Sequence, residues 1–233
     1  MKRVCFWADS YWIDEIHQQL SQTIDKICSD DNRVEFWLNA RHDYLTEDAI
    51  QIISELKNAF PQKELLITFI ADPLQVAEVE ITQSVLFKSK GFLPDIFDQI
   101  VYAPLFYGKC EQCERRFIQH HNKILRWMYR SCTDIVAYYY PNLPHERLHF
   151  TRMVLSHNSN LTVHHLYDEY TYQQIDELIK QLPPRKKYVI ESLNCGKTYR
   201  ELADEFGVSY SRVQQMAADA ERKIKWAWWD SHH

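Results

Sequence analysis

The sequence predicts an α/β domain, a mostly parallel sheet with helices on its faces, followed by a small all-α domain. Three observations predict it. Up to residue 166, short apolar runs alternate with stretches of helical periodicity, the pattern of repeated strand and helix units. The runs are almost continuously apolar, as strands buried on both faces must be. Beyond residue 168 the strand pattern stops, and prolines, glycines and cap residues punctuate a series of short helices.

In chain order the strand candidates are residues 3–8, 34–39, 64–71, 99–103, 134–140 and 161–166. Helix candidates between them span 13–29, 46–60, 115–132 and 146–157. The alternation reads as a Rossmann-like domain over 1–168, with the helical domain over 169–233. A linker helix begins near Asp168, with Thr171 as a candidate cap. Pro183 and Pro184 can open the next helix, 185–194, because the first helical turn does not need their missing N–H. Cys195-Gly196 ends it. Thr198 followed by Glu201 has the spacing of a capping box and starts a helix over 199–206, burying Leu202, Ala203 and Phe206. Gly207 sits where a tight turn can demand positive φ. Ser209 caps a last helix over 210–226, whose apolar stripe is Val213, Met216, Ala220 and Ile224.

Composition bounds the function. The chain has 233 residues, is 45% hydrophobic, and carries a net charge of −5 with only four glycines. Residues 183–233 hold nine Lys/Arg against seven Asp/Glu, so a mildly basic tail follows an acidic body. That balance suits local contact with DNA rather than general coating of nucleic acid. Met1-Lys2-Arg3 runs straight into an apolar strand, no stretch approaches membrane-spanning length, and the six cysteines are scattered. The expectation is a reduced, cytoplasmic protein with no membrane partner. No Ser-His-Asp, paired-carboxylate or metalloprotease spacing is present, so no catalytic residue, cofactor or metal site is expected. Cys110 and Cys113 invite a zinc reading, but the downstream His120 and His121 fall on a helix, where adjacent side chains diverge by about 100°. Lys123, Arg126 and Arg130 share a helix face, read first as a solvated stripe and second as a contact for a phosphate ligand or DNA. The Trp226, Trp228 and Trp229 cluster reads as a packing surface against the body or a second copy.

The run Leu182-Pro183-Pro184-Arg185, then Tyr199-Arg200-Glu201-Leu202-Ala203, Gly207-Val208-Ser209 and Ser211-Arg212-Val213-Gln214-Gln215, resembles region 4 of sigma-70-family factors and the related LuxR-like helix-turn-helix modules. The resemblance implies docking of the last helix in the major groove of double-stranded DNA, with RNA polymerase as a further partner. It assigns Tyr210, Ser211, Arg212, Gln214 and Gln215 to the groove, and Lys186, Arg200 and Ser209 to phosphates. Two departures stand out: Tyr210-Ser211 replaces the family's usual Arg-Glu, and Asp219 occupies a usually basic position. The regions that precede this module in a complete sigma factor are missing. A single small module binds weakly, so a homodimer or a polymerase partner is expected.

The order of elements in the first domain resembles the SLOG superfamily of Rossmann-like proteins that bind nucleotide-derived ligands. The resemblance rests on Val34-Glu35-Phe36-Trp37, Asp43-Tyr44-Leu45 with Ala49, and Asp134-Ile135-Val136-Ala137. It implies a ligand at the first two strand ends, lined by Asp9, Ser10, Asn39, Arg41 and His42. The loop that is glycine-rich in that family has no glycine here, and Asp9 would repel phosphate. Two function classes follow: a DNA-binding transcription regulator, or a nucleotide-ligand sensor or hydrolase whose C-terminal helices mediate assembly. A pure interaction protein is the third reading.

Overall fold

The structure, a computed structural model, describes residues 1–8, 14–39, 44–73, 77, 94–105, 114–166 and 169–231. They form two compact units, Met1–Tyr138 with Arg152–Leu166, and Tyr139–Thr151 with Tyr167–His233.

The first unit is a six-stranded sheet of β1 (Lys2–Ala8), β2 (Arg33–Leu38), β3 (Glu64–Ala71), β4 (Gln99–Tyr102), β5 (Asp134–Tyr138) and β6 (Thr162–Leu166). Every pairing is parallel and the spatial order is β4-β3-β2-β1-β5-β6. Parallel strands need long crossovers, and helices lie in them: α1 (Asp14–Asp30) between β1 and β2, α2 (Tyr44–Ala59) between β2 and β3, and α3 (Glu114–Ser131) between β4 and β5. The chain winds one way from β1 to β4, then jumps to the far side of β1. Right-handed crossovers therefore place α1 and α2 on one face and α3 on the other. Side chains agree. Trp7 meets Tyr129 of α3 edge-on at 5.7 Å, and Trp37 meets Trp127 at 5.4 Å. The alternate residues Val4, Phe6, Val34 and Phe36 are buried on the opposite face, with Ile16, Leu20, Ile24 and Ile50 supplying the cover.

Two buried carboxylates of this sheet are partnered. Glu35 accepts from Thr68 at 3.0 Å and from Arg3 at 3.2 Å, while Arg3 also lies 5.1 Å over the Trp37 ring. Asp134 accepts from the Thr133 hydroxyl at 2.7 Å and contacts His164 at 2.8 Å. Burial pushes the Cys28 thiol up to about 11 and also raises the Cys5 thiol, beside Cys132, well above its usual value, so these thiols stay protonated and act as packing groups. Among the described residues no helix is long and apolar enough to cross a membrane.

Three local expectations are corrected. β5 stops at Tyr138 rather than at residue 140, because Tyr138 is the last position paired on both sides, to Ala8 and to Leu166. The helix expected over 146–157 begins earlier, as α4 (Pro144–Phe150), and loosens into a π-helical turn, Thr151–Leu155. Thr171 is not a cap: α5 (Glu169–Lys180) starts before it and buries it.

Candidate nucleic-acid interface

Local chemistry sets the three helices that follow α5. Pro184 opens α6 (Pro184–Asn194), with Pro183 before it at φ −52°. The end of α6 is a glycine turn: Lys197 N–H donates to Ser192 O at 3.0 Å and Gly196 N–H to Leu193 O at 3.1 Å, with Gly196 at φ 92°. Thr198 then caps α7 (Tyr199–Phe206). Its hydroxyl accepts from Glu201 N–H at 3.2 Å, and the Glu201 carboxylate accepts back from Thr198 N–H at 2.7 Å. Those bonds favour the charged form and hold the Glu201 carboxyl below its usual range. α7 ends in the same way as α6, with Val208 N–H to Ala203 O at 3.0 Å and Gly207 N–H to Asp204 O at 3.3 Å. Gly207 takes φ 61°, in the left-handed region. Ser209 Oγ accepts from Arg212 N–H at 3.2 Å and starts α8 (Tyr210–Asp230).

The helices pack through one apolar core. Val189, Ile190 and Leu193 of α6, Leu202 and Ala203 of α7, and Val213, Met216, Ala217, Ala220 and Ile224 of α8 are buried. Small side chains at 203, 217 and 220 let α7 and α8 approach closely. Phe206 is only half-buried, under Arg185, whose guanidinium lies 4.9 Å from its ring, and beside Tyr188 at 5.8 Å.

The leading turn of α8 is open. Tyr210, Ser211, Arg212, Gln214 and Gln215 are all exposed, Tyr210 by 50%. Their side chains hold one another: Arg212 donates to Gln215 Oε1 at 3.1 Å, and Gln214 donates to the Tyr210 hydroxyl at 3.3 Å. Tyr210 stacks edge-on against Tyr199 at 5.8 Å. Burial, then Glu221 and Tyr210, push the Tyr199 phenol up to about 12, so it remains a neutral platform. Arg200 and Ser209 are exposed and Lys186 is half-buried.

Charge pairings not read from the sequence modify this surface. Asp219, which interrupts the basic character of α8, is paired by Arg222 one turn later. Lys223 adds a cation toward the far end of the helix. Lys197 is engaged by Glu205 at 2.8 Å and by the Tyr188 hydroxyl at 2.9 Å, which raises its pKa. The spacing Arg212-x-x-Gln215 was legible. The i, i+3 pair Asp219-x-x-Arg222 was also visible in the sequence and is the signal that would have found it.

The tryptophans divide. Trp228 packs within the second unit, donating to Gln174 of α5 at 2.9 Å, whereas Trp226 is 62% exposed. Of the ligand candidates in the sheet domain, Asp9, Ser10, Arg41 and His42 lie outside the described residues. Asn39 is buried and its amide donates toward Met128 Sδ at 3.7 Å. Cys110, Cys113 and the side chains of His120 and His121 are likewise outside the description. Among the described residues no group of three or more His, Cys, Asp or Glu side chains could hold a metal ion.

No curated protein matches this chain. Residues 172–224, which take in most of α5, all of α6 and α7, and α8 through Ile224, are similar to the protein family described as Sigma-70, region 4, and match its family model.

Proposed function

We propose that this chain is a DNA-binding transcription regulator that docks α8 in the major groove of double-stranded DNA. The observation that carries the reading is the open polar leading turn of α8 within a stretch that matches Sigma-70, region 4. Tyr210, Ser211, Arg212, Gln214 and Gln215 are assigned to base edges, with Arg212 suited to guanine and the glutamines to adenine. Lys186, Arg200 and Ser209 are assigned to phosphates. The isolated module is small, so either RNA polymerase or a second copy supplies the rest of the affinity.

Binding of duplex DNA by the full chain, followed by fluorescence anisotropy across a salt series, tests this. The two cations assigned to phosphates, Lys186 and Arg200, at about 0.9 each give a log–log salt slope near about −1.8. The Arg212→Ala, Gln215→Ala double variant is expected to abolish sequence preference and most affinity. Absence of binding to any duplex at low salt, or a double variant with unaltered binding, overturns the proposal.

A second reading, sensing of a nucleotide-derived ligand by the sheet domain, is favoured by strand order. β1 lies between β2 and β5, so the winding reverses at its carboxyl end, where ligands of such sheets bind. A thermal shift with a nucleotide panel, lost in Arg41→Ala, supports this reading; no shift with any nucleotide removes it.

A further inference from the structure

The second unit contains a segment outside the family match. Tyr139–Thr151 precedes residues 172–224 in sequence, yet belongs to the same compact unit. Tyr139 stacks on Phe150 at 4.7 Å and closes the segment on itself around α4. Its polar groups then reach three helices of the module. His145 N–H donates to Glu221 Oε1 of α8 at 2.6 Å. Glu146 pairs with Lys225 of α8 and accepts from Tyr140 N–H at 2.8 Å. Arg147 donates to Leu193 O of α6 at 3.0 Å and to Pro141 O at 3.3 Å. Asn194 donates to Asn142 O at 2.9 Å, and Asn142 donates to Tyr172 O of α5 at 3.3 Å.

We propose that Tyr139–Thr151 is a lock that sets the orientation of the reading helix, with Glu221 as its main positioning residue and Glu146 and Arg147 as supports. The inference rests on the DNA-binding reading above. Glu146 is 1% exposed and Glu221 4%. Carboxylates are seldom buried so deeply, because desolvation offsets most of what their partners return. An apolar contact would hold these helices together as well. Directional bonds do something that apolar contact does not: they specify rotation and height. The bonds to 221 and 225 grip α8 about 14 and about 20 Å along its axis from Arg212 at 1.5 Å rise per residue. A helix is stiff over that length, so a rotation allowed at Glu221 displaces Arg212 and Gln215 in the groove.

The test uses the full chain and duplexes selected by the wild-type protein from a randomised library. Glu221→Leu removes the acceptor for His145 N–H, whereas Glu221→Gln keeps an acceptor oxygen. Glu146→Gln with Lys225→Met removes the ion pair and retains volume and an acceptor for Tyr140 N–H. The expected result is a loss of duplex affinity of roughly tenfold in Glu221→Leu and in the pair variant, larger than any change in melting temperature suggests, with Glu221→Gln close to wild type. Wild-type affinity in Glu221→Leu, or affinity that simply follows melting temperature across the variants, overturns the lock. If the wild-type protein selects no duplex, the regulator reading fails by itself. The lock is then read by hydrogen exchange at Val213–Ala217, which Glu221→Leu should accelerate and Glu221→Gln should not. Equal exchange in all three proteins overturns it.

Discussion

Replacing Gly207 by alanine isolates the turn that joins α7 to the reading helix α8. Gly207 has φ 61° and ψ 36°, and a β-carbon built there would meet no atom within 4 Å. No steric clash with neighbours therefore enters the comparison, only the backbone conformation. A left-handed alanine costs about 1–2 kcal/mol. Alanine's narrower unfolded ensemble offsets about 0.4–1 kcal/mol of that. The net loss is about 1 kcal/mol, which for a unit of this size lowers the melting temperature by about 4–8 °C. Asparagine tolerates the left-handed region, so Gly207→Asn should fall between alanine and wild type. Calorimetry of the full chain measures the shift, and hydrogen exchange in α7 and α8 assigns it to this unit. A Gly207→Ala protein as stable as wild type, or more stable than Gly207→Asn, would refute the left-handed turn and with it the angle between α7 and α8.

Other outcomes follow from the same geometry. Thr198→Ala should destabilise the second unit by about 1 kcal/mol, measured by urea denaturation. Glu201 titrates below its usual 4.5 in the folded state, so its share of the capping box is present above that pH and is lost as pH falls through the lowered value. The stability deficit of Glu201→Gln relative to wild type should therefore shrink on acidification, and a deficit constant down to pH 3 would count against the capping role. Trp228→Ala should cost about 3–5 kcal/mol as a buried aromatic, while Trp226→Ala should stay within about 0.5 kcal/mol; equal effects in denaturation would contradict the observed burial. Arg200→Ala should reduce the magnitude of the salt slope of duplex binding by about 0.9, and an unchanged slope would remove Arg200 from the phosphate contacts.

The helical tail was the most legible part of the chain because its signals are local. Thr198 with Glu201, Gly196, Gly207 and Ser209 each act on backbone groups within one turn, so identity and spacing suffice to place them. The parallel sheet was legible for a different reason. Strands such as Val4–Trp7 and Ile135–Tyr138 are apolar on both faces, and only a sheet covered by helices on both sides makes that pattern stable. The tryptophans show where local reading stops. Trp226 and Trp228 look alike in sequence, but two residues rotate a helix by about 200°, and the neighbouring α5 decides which one is covered.

What the sequence alone determined is the turns between the last three helices, at 195–198 and 207–209, and which polar turn α8 presents, since these depend on bonds between residues three to five apart; the end of α8 at Asp230, beyond the expected 226, was not among them. Tertiary structure alone decided the strand order β4-β3-β2-β1-β5-β6, the termination of β5 at Tyr138, and the recruitment of Tyr139–Thr151 to the helical unit. Those features rest on pairs such as His145 with Glu221 and Arg147 with Leu193. The partners lie far apart along the chain, and a buried carboxylate does not announce in sequence which distant N–H will satisfy it.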